Sequence, residues 1–146
     1  MSLKFNFENV STKTPLILKK DYAGEIKKVE AKENKDKTGK NLVVMIELKG
    51  PFTSQQGAEQ GLENDVTGNI NLFSYLPLQQ KDESSPDYRR GLCLLWDAAM
   101  GTNDETRGEM DFEEILNRKV IVTVNHSKET PEFPSNNQIA RFSHLA

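Results

Sequence analysis

The segment from Asn41 to Lys49 has the strictest hydrophobic pattern in the chain. Leu42, Val44, Ile46 and Leu48 occupy every second position. Successive side chains of a β-strand point to opposite faces, so this period of two predicts a strand that buries one row of aliphatic side chains. Such a strand needs a second apolar layer, and the fold is therefore expected to be built around a sheet.

Four further segments are predicted to be strands. In the first, residues 22–32, Ile26 and Val29 are three positions apart. Both side chains can face the same side of the strand only if an extra residue, a β-bulge, lies at Lys27-Lys28. A bulged, bent first strand suits a barrel in which that strand serves both halves of the sheet. The other three segments are residues 68–76, 118–125 and 137–142.

One main helix is predicted from Pro86 to Met100, between the third and fourth strands. Ser85 can cap it, and Pro86 suits the first helical position. The order β-β-β-α-β-β predicts an all-β protein with one main helix, a five-stranded OB-fold barrel, in which the helix closes one end. We expect residues 16–146 to form this single domain and residues 1–15 to be an arm or irregular lead-in. The predicted core comprises Leu42, Val44, Ile46, Leu48, Ile70, Leu72, Val120, Val122 and Val124, with Trp96 packed beneath.

Composition narrows the class of protein. Charged residues make up 28% of the chain, and no apolar run approaches the ~18 residues that a membrane helix needs. The single cysteine, Cys93, cannot form an internal disulfide, which favours a reducing cytoplasm. A soluble cytoplasmic protein without a membrane partner is the expectation.

Charge is distributed unevenly along the chain. Residues 1–50 carry 11 Lys and Arg against 7 Asp and Glu, and residues 118–146 carry 4 against 2. Residues 51–117 carry only 4 basic residues against 13 acidic ones. If the two ends meet in the fold, they form a positive face, although the net charge is −3. Chance variation between parts of a chain is the competing explanation.

No catalytic or metal-binding motif is found. Thr38-Gly39-Lys40 falls short of a phosphate-binding P-loop because Asn41 follows the lysine. The histidines, His126 and His144, neighbour no nucleophile in the sequence, and we expect them at the solvated surface. The acidic residues between positions 104 and 114 lack EF-hand spacing. We therefore expect no enzymatic activity, no catalytic residue, no metal and no cofactor.

The residues best suited to bind a single nucleic-acid strand cluster where an OB fold has its binding face. Such a face combines aromatic platforms for bases with basic groups for phosphates. Phe73 and Tyr75 lie two residues apart on the outer side of the third strand. Lys49 ends the second strand, and Phe52 follows it. The remaining candidates are Lys35, Lys37 and Lys40 in the first turn, Lys128 and Phe133 in the last loop, and Arg141 in the fifth strand.

Each candidate has a structural alternative. Phe73 and Tyr75 could pack under the helix or under a long loop, and the lysines of the first turn could serve solubility alone. Phe133, between two prolines, could simply anchor its loop. On the same barrel, Phe52, Phe73 and Tyr75 could instead form an apolar patch for a partner protein.

The chain also resembles phage-encoded OB-fold single-stranded DNA-binding proteins over roughly residues 20–143. The similar segments are Tyr22-Ala23-Gly24-Glu25-Ile26, Thr38-Gly39-Lys40-Asn41-Leu42, the helix from Leu92 to Gly101, Ile115-Leu116-Asn117-Arg118-Lys119-Val120, and Asn136-Asn137-Gln138-Ile139-Ala140-Arg141-Phe142. The resemblance implies protection of single-stranded DNA during phage DNA replication or recombination, in the cytoplasm of a host cell. It also implies phage replication or recombination proteins as further partners, and a homo-oligomeric form is compatible with it.

Overall fold

The computed structural model describes residues 3–6, 8, 14–33, 39–78, 89–103, 108–132 and 134–145. Strands dominate these residues, and they form one five-stranded antiparallel sheet with few helices. The elements are β1 (Asp21–Glu33), β2 (Lys40–Leu48), α1 (Gln55–Glu59), β3 (Ile70–Pro77), α2 (Arg90–Met100), a 3₁₀ helix (Phe112–Ile115), β4 (Lys119–His126) and β5 (Asn137–His144).

The strands are ordered β3-β2-β1-β4-β5, so β1 lies at the centre and pairs with both β2 and β4. The register between β1 and β2 shifts between Ile26 and Lys28, which confirms the predicted bulge. The bulge lets Ile26 and Val29 both turn toward the core although they are three residues apart. Hydrogen-bonded ladders among the described residues end at β3 on one side and at β5 on the other.

The core lies on the inner face of the sheet, where α2 covers it. All nine aliphatic residues predicted to be internal are buried there, together with Ile17, Ile26 and Ile115. Trp96 is half-buried and meets Phe112 edge-on, with 5.4 Å between ring centroids. Leu92, Leu95 and Ala99 of α2 are also buried in this core, and Leu95 is the most buried of the three.

Two elements differ from the sequence-based prediction. The sequence pattern predicts no helix or strand in residues 50–67, between the second and third strands. The structure has α1 there, and the Ser54 hydroxyl caps it by accepting a hydrogen bond from the Gly57 backbone N–H. Five residues are too few to show helical periodicity, so this helix left no pattern in the sequence. The main helix begins at Arg90, while Ser85 and Pro86, its predicted cap and first residue, lie outside the described residues.

The two histidines are not simply solvated. Nε2 of His126 donates a hydrogen bond to the Ile17 carbonyl at 2.6 Å, and Nδ1 of His144 donates to the Ala98 carbonyl at 3.0 Å. His126 thereby ties the segment before β1 to β4, and His144 ties β5 to α2. Both side chains serve to hold elements of the fold together.

Candidate nucleic-acid interface

Phe73 and Tyr75 are exposed on the outer face of β3. Their fractional exposures are 50% and 64%, whereas Ile70 and Leu72 on the inner face are buried. Large aromatic side chains are costly to leave in water, so two on adjacent outward positions indicate a surface that contacts something else. At these exposures neither residue is buried beneath the helix or the loops that the structure describes.

The strand register extends this surface across the sheet. Phe73 lies opposite Met45 on β2, and Tyr75 lies opposite Val43. Directly opposed residues in antiparallel strands have Cβ atoms about 4.5–5.5 Å apart, so the four side chains are neighbours. We call Phe73, Tyr75, Met45 and Val43 the aromatic face; the two rings are its exposed part, while Val43 is only 8% exposed.

Basic residues of β1 border the aromatic face. Lys28 lies opposite Met45, Glu30 opposite Val43, and Lys32 opposite Asn41. The Glu30 carboxylate pairs with both lysines, at 3.2 Å from Lys28 Nζ and 3.7 Å from Lys32 Nζ. The hydrogen bond from Lys28 is the main reason why the pKa of Glu30 is lowered from its ordinary value. Lys28 and Lys32 did not figure among the predicted candidates, although period two after the bulge would have put them on the outer face.

Lys49 belongs to a second charged group, which begins at Glu47 in the direction of the chain along β2. It lines a shallow cavity together with Glu47, Glu25 and Lys119, at the end of the β1–β2 ladder. The pKa of Glu25 is lowered, first by its hydrogen bond with Lys27 at 2.6 Å and further by the charges of Lys27, Lys49 and Lys119. Cations and carboxylates therefore alternate here, and the positive charge of Lys49 is partly compensated.

A groove connects the aromatic face to the beginning of β5. A cavity of about 250 Å³ is lined by residues 70–73 of β3, by Asn136 and Asn137, and by Thr14. The Asn137 side chain is fixed there, since it accepts from the Ile17 N–H and donates to the Pro15 carbonyl. Phe73 thus lies at the edge of a cleft whose opposite wall is the end of the last loop.

The last loop is closed at its base, next to this groove. Ser127 and Asn136 exchange two hydrogen bonds of 2.8 Å, one through the Ser127 N–H and one through its hydroxyl. Lys128 is exposed immediately after Ser127. Lys128 therefore lies near one end of a loop whose other end, Asn136, lines the groove beside Phe73.

Phe52 is not part of this surface, contrary to prediction. Its side chain is only 3% exposed and packs edge-on against Tyr22, with 5.8 Å between ring centroids. Two backbone hydrogen bonds join Phe52 to Val66 and hold it within the loop after β2. This bridge turns the ring into the core, so Phe52 offers no face to a base.

The remaining candidates are separate from the aromatic face or outside the described residues. Arg141 is exposed on β5, where its Nε donates to the Thr123 hydroxyl at 3.1 Å; that hydroxyl in turn donates to Asp21 at 2.6 Å. Lys40 is exposed at the beginning of β2, opposite Glu33. Lys35, Lys37 and Phe133 lie outside the described residues.

The described residues contain no group of three or more His, Cys, Asp or Glu side chains arranged to hold a metal ion. Within the same ranges no helix has the length and apolar character to cross a membrane. In comparisons with known proteins, the sequence matches no family model and no curated protein. What can be inferred about function therefore comes from the surface itself.

Proposed function

We propose that this protein binds single-stranded DNA through the aromatic face and the adjoining groove, and performs no covalent chemistry. The observation that carries the proposal is the exposure of Phe73 and Tyr75, 50% and 64%, side by side on the outer face of the sheet. Aromatic rings in an open groove stack with unpaired bases, and each stacked base is worth about 1–3 kcal/mol.

The basic residues around the aromatic face have a distinct role in this proposal. Lys28 and Lys32 border the face along β1, Lys49 lies at the end of β2, and Lys128 lies beyond the groove. Phosphates of a strand whose bases stack on Phe73 and Tyr75 would pass within reach of these ammonium groups. Stacking on any base and attraction to any phosphate give binding with little sequence preference.

We further propose that the sheet belongs to an OB-type barrel. Three features support this. The central strand β1 is bulged and pairs with two strands, and β3 approaches β5. In the chain, α2 comes between β3 and β4, and it packs against the sheet. OB folds bind oligonucleotides on the face of their second and third strands, flanked by the first and last loops. The aromatic face occupies the corresponding strands here.

The resemblance to phage single-stranded DNA-binding proteins extends the proposal to a biological setting. In that setting the protein coats DNA strands exposed during phage replication or recombination, in the cytoplasm of the host. Phage replication or recombination proteins would be its further partners.

The test is a fluorescence anisotropy titration of purified protein against labelled oligo-dT and against the same strand annealed to its complement. We expect tighter binding to the single strand, because a duplex hides the base faces on which the aromatic residues would stack. Equal affinity for both forms would contradict the proposal. A labelled oligo-U of the same length would compare RNA with DNA.

A protein-interaction module is the second candidate function. The observation that favours it is charge compensation: Glu30 pairs with both Lys28 and Lys32 beside the aromatic face, and the whole chain has a net charge of −3. An apolar patch with a nearly neutral rim is typical of a protein contact. This candidate predicts no salt-dependent binding to either form of DNA.

A further inference from the structure

The side chains of Lys28, Glu30 and Lys32 form a chain of ion pairs beside the aromatic face. Both ammonium groups approach the same carboxylate oxygen of Glu30, Oε2, at 3.2 and 3.7 Å. Glu30 lies in the row that continues through Val43 to Tyr75. Two strand spacings, about 10 Å, therefore separate the backbone at this carboxylate from the backbone at the ring of Tyr75.

We infer that Glu30 is an internal competitor for DNA phosphate, whose carboxylate occupies the position between the two lysines that a phosphodiester takes when a strand binds. The inference rests on the proposed function. A carboxylate and a phosphodiester each carry one negative charge shared by two equivalent oxygens, and both accept charge-assisted hydrogen bonds from lysine. A strand that stacks its bases on Tyr75 has its backbone near this row.

The ion pairs are suited to exchange because they are exposed. The side chains of Lys28, Glu30 and Lys32 are 57%, 43% and 54% exposed. Exposed pairs contribute little to stability and are screened by salt, so an incoming phosphate displaces the carboxylate at small cost. Glu30 thus lowers the affinity for DNA, and it disfavours other anions that cannot also stack on the aromatic face.

The test measures oligo-dT binding by Glu30→Gln, an isosteric change that frees both lysines. We expect about threefold to tenfold tighter binding at low salt. The gain in affinity is expected to shrink as salt rises, because salt screens the Glu30 ion pairs that the wild type must break before phosphate binds. In a Lys28→Ala/Lys32→Ala background the same substitution is expected to leave the affinity unchanged.

Glu113→Gln is the matched control, since Glu113 is exposed on the 3₁₀ helix and its substitution changes net charge equally. If wild type binds oligo-dT and Glu30→Gln binds no tighter than Glu113→Gln, the inference is overturned while the proposed function stands. The inference is equally overturned if Glu30→Gln still tightens binding when both lysines are absent. If wild type binds no single strand, the proposed function fails and the inference with it.

Discussion

The Ser54 hydroxyl donates a hydrogen bond to Asp65 Oδ2 at 2.6 Å, across the loop that joins β2 to β3. The backbone N–H of Ser54 donates to the other carboxylate oxygen at 2.8 Å. The same hydroxyl accepts from the Gly57 N–H and so caps α1. The Asp65 carboxylate therefore joins the beginning of the loop, at Ser54, to its later part. The hydrogen bonds from Ser54 lower the pKa of Asp65 below its ordinary value.

Asp65→Asn is expected to lower the melting temperature at neutral pH, and this difference from wild type should disappear in acid. A carboxyl group whose pKa is lowered by folding stabilises the fold above its unfolded-state pKa, and this stabilisation is lost as pH falls through the lowered value. The difference in melting temperature between wild type and variant should thus shrink below about pH 4. Thermal unfolding followed by circular dichroism from pH 7 to pH 3 measures it. Glu63→Gln, in the same loop, is the control for net charge, and a pH-independent difference would contradict the prediction.

Gly24→Ala is expected to destabilise the fold by about 1–3 kcal/mol through overpacking. Gly24 is buried in β1 where this strand pairs with both Leu48 and Val120. A Cβ here would lie 2.6 Å from Ile46 Cγ2 and 2.8 Å from Leu48 Cδ2, and both of these side chains are fully buried. Urea unfolding monitored by Trp96 fluorescence measures the loss. Gly108→Ala, whose Cβ would meet no atom of the described residues within 4 Å, should be close to neutral. An equal loss of stability in both variants would contradict the packing explanation.

The sequence was most informative where one face of a strand is buried. Alternation in β2 and β4 predicted which residues form the core, and the broken alternation at Ile26 and Val29 predicted the bulge. These predictions succeed because burial on one face imposes a period of two along the strand. Phe52 is buried where it pairs with Val66, fourteen residues away. A pairing between residues so far apart in the chain leaves no local pattern in the sequence.

The candidate surface was only partly predictable for the same reason. Phe73 and Tyr75 follow from the alternation in β3, so their outward position could be deduced. Lys28 and Lys32 become neighbours of the aromatic face only through the register of β1 against β2, which the sequence alone does not specify. Alternation after the bulge also puts Glu30 between these lysines on one face, but the distances at which it pairs with each depend on side-chain geometry.

Phe73→Ala and Tyr75→Ala are each expected to weaken binding to oligo-dT by about 1–3 kcal/mol, since each removes a stacking platform. Both side chains are exposed, so neither substitution opens a cavity in the core. Anisotropy titrations at one salt concentration measure the effect, and circular dichroism verifies the fold. Leu62→Ala is the matched control because Leu62 is 51% exposed in the loop between β2 and β3. Wild-type affinity in both aromatic variants would show that the strand binds elsewhere.

Lys49→Ala and Arg141→Ala are expected to act on the salt dependence of binding. Each phosphate contact releases counterions from the DNA, so the slope of log affinity against log salt is about −0.7 per contact on a single strand. Removing one phosphate contact should flatten the slope by about 0.7, whereas Phe73→Ala should leave it nearly unchanged because stacking releases few ions.

Titrations of oligo-dT at four or more salt concentrations separate these two effects. Arg118→Ala is the control for the loss of one positive charge. The Arg118 guanidinium is directed to the 3₁₀ helix, where its Nε donates to the Glu114 carbonyl. Lys49 lies at the end of β2, in the charged group with Glu25. Arg141 lies on β5, where it contacts Thr123 of β4, so β1 separates it from β2 and β3 in the sheet. A flattened slope for Lys49→Ala alone would confine the bound strand to β1, β2 and β3. Flattening in both would extend its path across the sheet to β5, and flattening in neither would mean that these two cations contact no phosphate.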